Sequence, residues 1–242
     1  MNKTLKNIIG LMFLLPACAV CSVCSYASVK TLVYNSNLNL IFGAGIATYI
    51  VVRQLIYWAG YDFVEVAEIL VHELMHGLFA LLFLGDIKAL SVSIGRGGEV
   101  SVSKSNFLVE LSPYCFPALT IFICVLRPFF IKQADPYIVF FAAFFLGLHI
   151  CSLIRDFHFG QRDLINNGII FSFSVVLFFN VLFIGIVAVC INSGISGVPR
   201  FMVQLYETGK SASYYVASAD YTEYISSLQS IFERLRTIKL GF

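Results

Sequence analysis

The sequence predicts an all-helical polytopic membrane protein of about five to six transmembrane helices. A small β-hairpin interrupts the helices, and an amphipathic helix closes the chain. Three observations carry this. Of 242 residues 59% are hydrophobic and only 12% charged, against about 25% charged in soluble domains. Apolar runs long enough to cross a bilayer recur along the chain. Between two of them the hydrophobic period switches from helical to alternating.

Residues 1–27 read as a signal peptide or a first transmembrane helix. Lys3 and Lys6 precede an apolar run from Ile8 to Val23, and Ser25-Tyr26-Ala27 offers a small-x-small cleavage site. Extended to Ala27, the run is also long enough to span, and a retained helix is the slightly favoured expectation. The membrane core is expected over 38–191. Its first helix, Leu38 to Trp58, ends in an aromatic pair suited to the interface. Arg53, near that end, is expected to snorkel toward the headgroups.

Val64 to Leu84 is the second apolar segment of the core, and it contains HELMH at His72–His76. Ile87 to Ile94 and Glu99 to Ser103 then alternate apolar and polar residues around Gly95–Gly98, predicting the hairpin. Asn106 to Phe130 is apolar but broken by Pro113 and Pro117, which kink a membrane helix. Pro136 to Ile154 carries His149, and Ile169 to Ile191 is the last span. The polar link Arg155–Gly168 between them is the connection richest in ligand-type residues. In the tail, 192–242, Tyr221, Ile225, Leu228, Phe232 and Leu235 recur at helical spacing, an amphipathic stripe for the membrane face or a partner. Basic residues fall in almost every loop and only slightly favour a cytoplasmic C-terminus.

Composition also excludes function classes. A formal net charge of +2 and the lack of a basic run argue against nucleic acid. The seven cysteines do not form a disulfide framework. Cys18, Cys21 and Cys24 share a helix face with no histidine or acid nearby to complete a metal site, so they read as packing residues.

HELMH carries the chemistry. His72 and His76, four apart on a helix, share a face and can bind one zinc ion, and Glu73 beside the first is placed to act as general base. Ionisable groups in an apolar helix are rare and usually functional. A catalytic zinc needs a third protein ligand. The extended HExxHxxGxxH pattern fails at Phe79, and Glu99 and Glu110 are the only glutamates between the motif and the tail. The remaining options are Asp135, His149, Asp156, His158 and Asp163, and spacing does not rank Asp156 against Asp163. Glu68, one turn before His72, is a candidate acceptor for that imidazole's second N–H, with Glu65 a weaker one. His149 either joins the site or bonds to a neighbouring helix, and His158 reads as solvated.

HELMHGLFALLF, a short strand pair, NFLVELSPYCFP and then QRDLINNGIIFS together resemble the compact bacterial members of the site-2 protease family of intramembrane zinc metallopeptidases. The resemblance covers roughly Leu40 to Val187. It implies zinc held by His72, His76 and Asp163, with Glu73 as catalytic base; Asp156 remains the alternative ligand that spacing leaves open. It also implies hydrolysis of peptide bonds in membrane-associated proteins, and a place in a bacterial inner or cell membrane. The family's distal aspartate is followed directly by glycine, whereas LINN separates Asp163 from Gly168 here. Met75 stands where small residues are frequent, with its side chain expected off the ligand face.

The implied mechanism is attack by a zinc-activated water, with Glu73 carrying its proton to the leaving amine. An exposed edge of the hairpin is expected to hold the substrate extended. A catalytically silent relative that binds membrane partners is the competing class, and the intact motif argues against it. A di-iron enzyme would need many more than four histidines, and a metal carrier would spread its ligands over several helices.

Overall fold

A computed structural model describes residues 2–93 and 97–218. Among these, α1 (Lys3–Ile9), a π-helical turn (Gly10–Leu14) and α2 (Leu15–Tyr34) continue into one another, and α3 (Ser36–Trp58) and α4 (Phe63–Leu82) follow. The antiparallel strands β1 (Ile87–Ser93) and β2 (Gly97–Val102) form a two-stranded sheet, with Leu90 opposite Val100 and a bulge between Ile87 and Ala89. Next come α5 (Phe107–Cys115), α6 (Ala118–Leu126), α7 (Asp135–Asp156), α8 (Arg162–Asn167), α9 (Ile169–Ser193) and α10 (Val198–Ser218). The middle of the predicted hairpin turn and the stripe from Tyr221 to Leu235 lie outside the described residues.

Four described helices are long and apolar enough to cross a membrane: Lys3–Tyr34, Asn37–Trp58, Lys132–Asp156 and Ile169–Ser193. The pair Phe107–Cys115 and Ala118–Phe129, bent by 72°, makes a fifth if it is one span. The expectation of about five to six also counted the motif helix α4. That helix has 20 residues but carries Glu65, Glu68 and Glu73, so it does not stand out by composition.

The predicted kink falls between α5 and α6. Pro117 disfavours helical backbone at the residue before it, and Phe116 is extended, with φ −115° and ψ 115°. The bend lets the Phe116 ring pack on Phe79 and Phe183, at 4.5 and 4.8 Å between centroids. It also turns α5 across α4.

The other end of α4 closes with two reversed hydrogen bonds, Leu84 N–H to Leu81 and Gly85 N–H to Ala80, at 2.9 and 2.8 Å. This is a Schellman stop. Leu84 holds its left-handed position, φ 58°, where glycine is usual.

Two buried clusters hold the helices. One joins Leu32, Val139, Leu146, Val187 and Ile191 from α2, α7 and α9. The other joins Leu111, Tyr114, Leu164, Phe171 and Val175 beneath the motif helix. Cys18, Cys21 and Cys24 are all buried, in keeping with packing residues. Residues 1–205 form one compact unit, and a second begins at Tyr206. The described part of that second unit is the end of α10, which exposes Tyr206, Tyr214 and Tyr215.

Candidate metal centre

His72, Glu73 and His76 lie in the middle of α4. An open cavity of about 830 Å³ beside them is also lined by Ile69, β2, Glu110, Asp156 and Asp163. Among the described residues, one group has metal-ligand character: donor atoms of His72, His76 and Asp163 all lie within 4.8 Å of one another. His76 Nε2 is 3.6 Å from Asp163 Oδ2. A tetrahedral zinc about 2.1 Å from each donor would set donors about 3.4 Å apart, so the residues fit such an ion with small movements.

Each imidazole is oriented from behind. His76 Nδ1 donates to the carbonyl of Val109, at 2.8 Å. A carbonyl only accepts, so Nδ1 carries the proton and Nε2 keeps its lone pair. His72 Nδ1 lies 3.3 Å from Asp156 Oδ2, which frees its Nε2 in the same way. A carboxylate or carbonyl behind a histidine is the usual support for a metal ligand. Helix α5 thus supplies the support for His76, and the end of α7 supplies that for His72.

The two aspartates that spacing left unranked therefore sit on different sides of the ligands. Asp163 meets His76 Nε2. Asp156 meets the rear nitrogen of His72 and is gripped by Arg155 at 2.6 and 2.8 Å. Tyr114, nearly fully buried, donates to Asp163 Oδ2 at 3.3 Å and sets its ring edge-on to His72, 5.1 Å between centroids.

Glu68 is not the acceptor for His72; Asp156 has that position. Glu68 is fully buried instead under Tyr49, Arg53 and Arg155. Tyr49 donates to its Oε1, Arg53 Nε lies 2.7 Å from the same oxygen, and Arg155 Nη1 lies 2.5 Å from Oε2. Arg53 accordingly turns inward rather than snorkelling. The physical reason is the same for both: a buried carboxylate needs compensating charge, and these guanidiniums are within reach.

His149 is hydrogen-bonded to a neighbouring helix. Its Nε2 donates to Asn180 Oδ1 at 3.0 Å, and Asn180 passes its own protons to the Tyr114 and Val176 carbonyls. His158 is exposed and accepts from the Gly160 N–H. Asp135 pairs with Arg127 at 2.6 Å, at the opposite end of α7 from Asp156. Met75 is buried beside His72, lining a small cavity with Pro113 and His149. Glu65 and Glu99 line the main cavity.

Glu73 is largely buried, close to the Val100 backbone N–H of β2. A Cβ on Gly98 would stand 2.6 Å from Glu73 Cγ, so only glycine lets β2 lie this close to the motif helix. Gly98, Val100 and Val102 line the cavity, whereas no β1 residue does. The edge that faces the site belongs to β2.

In the sequence the Pro113-Tyr114 step is a candidate to shape the cavity, but spacing gives Tyr114 no role, and sequence reasoning missed Arg155 and Asn167. Arg155 had a weak signal, an arginine next to a candidate ligand. Asn167 had none beyond its place in the polar link.

Comparison with protein-family models, with curated proteins and with solved structures finds no match.

Proposed function

We propose that this chain is an intramembrane zinc metalloprotease of the site-2 protease type, hydrolysing peptide bonds of membrane-associated proteins. One observation carries the reading. Two imidazoles from one helical face and a carboxylate 87 residues beyond His76 bring donor atoms within 4.8 Å, while both rear nitrogens are engaged and His76 Nε2 faces Asp163.

In this reading α4 lies within the membrane among the four apolar helices, its acids turned into the protein. The setting is a multi-pass protein of a bacterial inner or cell membrane. Zinc held there would acidify a water and polarise the scissile carbonyl. Glu73 would take a proton from the attacking water and deliver it to the leaving amine. Its pocket between α4 and β2 keeps the carboxylate beside the ligands. Tyr114 fixes Asp163, and Asp156 fixes His72. The free edge of β2 holds the substrate extended by backbone pairing, exposing one carbonyl to the site.

The test is purification in detergent, determination of bound zinc, and comparison of wild type with Glu73→Gln on a panel of single-span substrates. Metal in both with cleavage only by wild type is expected. Wild type without zinc ends the reading. Zinc without cleavage of any substrate leaves the silent membrane-binding protein.

A further inference from the structure

α8, the helix that carries Asp163, has six residues. A helix this short is marginal by itself in water, so its position is set by what grips its ends. The far end is gripped from the N-terminal helix. Gly168, between α8 and α9, has φ +96°, and a Cβ there would come within 2.5 Å of Asn7 Oδ1.

That same oxygen accepts the backbone N–H of Phe171, at 3.1 Å. Phe171 lies in the first turn of α9, where N–H groups lack partners within the helix, and α9 has no side-chain cap of its own. Asn7 thus caps α9 from another helix. Next to it Lys6 Nζ lies 2.5 Å from Asn167 Oδ1. Asn167 is 2% exposed and donates to Glu110 and, at 3.0 Å, to the main-chain carbonyl of Asp163.

We propose that the N-terminal helix is a permanent part of the metal centre, with Lys6 and Asn7 as positioning residues that clamp the α8–α9 junction and so hold Asp163 at the histidines. The rest of the helix is seated to match. Cys21 and Cys24 are fully buried, and Ser25, in the candidate cleavage site, donates to the Val181 carbonyl of α9 at 2.8 Å. The clamp also gives the displaced glycine a purpose: at 168 it opens the space that Asn7 enters.

This inference rests on Asp163 being a zinc ligand. Its test uses the full chain in detergent, with zinc affinity measured by chelator competition, the visible spectrum of the cobalt-substituted protein, and a thermal melt. Asn7→Leu keeps the size and removes the acceptor; zinc affinity should fall about tenfold to a hundredfold, the range for residues that orient ligands, with an altered cobalt spectrum. Asn7→Asp keeps an acceptor oxygen and should restore both. In an Asp163→Ala background Asn7→Leu should cost no further affinity.

Unchanged affinity in Asn7→Leu overturns the clamp while leaving the zinc reading standing. An undiminished loss in the Asp163→Ala background does the same, as does a purified zinc-binding chain whose mass lacks residues 1–27. Wild type without zinc overturns both.

Discussion

Arg155 bridges Glu68 and Asp156. Its Nη1 lies 2.5 Å from Glu68 Oε2 and its Nε 2.6 Å from Asp156 Oδ1. Asp156 in turn meets His72, so a buried acid one turn before the motif is linked to the paired imidazoles through Arg155 and Asp156. Removing Glu68 strands two partly exposed guanidiniums, at a cost toward or below the low end of the about 3–5 kcal/mol of a fully buried pair. Glu68→Ala is expected to lower stability by that order, and Glu68→Gln by less. Melting in detergent decides it; an Ala variant as stable as wild type would show that the cluster holds nothing together.

The aspartates should separate by what they lose. Asp163→Ala is expected to cost the most zinc affinity, leaving only the two imidazoles to hold the ion. Asp156→Ala should weaken binding by about tenfold to a hundredfold, as loss of a group behind a ligand does. Zinc titration of the two variants tests the order, and the reverse order would exchange their roles.

Glu73→Gln should bind zinc as wild type does and lose activity by about 10²–10⁴-fold, the range for a positioned general base. Single-turnover assays with equal metal loading provide the measurement. Retained activity would mean that the proton moves by another route.

Tyr114→Phe removes the hydrogen bond to Asp163 and leaves the ring against His72. A lost hydrogen bond to a charged group costs about 1.5–3 kcal/mol, so zinc affinity should fall by roughly one to two orders of magnitude. An unaltered dissociation constant would show that Asp163 is held without the tyrosine.

The two strands should respond differently to proline. β2 faces the cavity and β1 does not, so Val100→Pro is expected to reduce cleavage at normal zinc content, while Val92→Pro should be tolerated. Equal turnover in Val100→Pro would remove strand pairing from the mechanism. Sequence alternation could not choose between the strands, because it records which residues alternate and not which edge meets the helix.

Much of the site was legible in the chain because its signal is local. His72 and His76 share a face through helical geometry alone with Glu73 beside the first, and Pro117 announces the break at Phe116, whereas Pro113 is absorbed inside α5. Asp156, Asp163, Glu68 and Arg53 belong to the other class. Each is a charge whose partner lies far along the polypeptide, and the spacing of a link says nothing about the direction in which it folds.

The chain by itself therefore determined an apolar helical protein with a paired-imidazole motif and a short hairpin, since composition and period express the backbone's own geometry. Only the tertiary structure decided which aspartate faces the free nitrogens, which strand edge borders the cavity and what Glu68 neutralises. Those choices depend on burial, where each charged group must find a partner across helices that are distant in sequence.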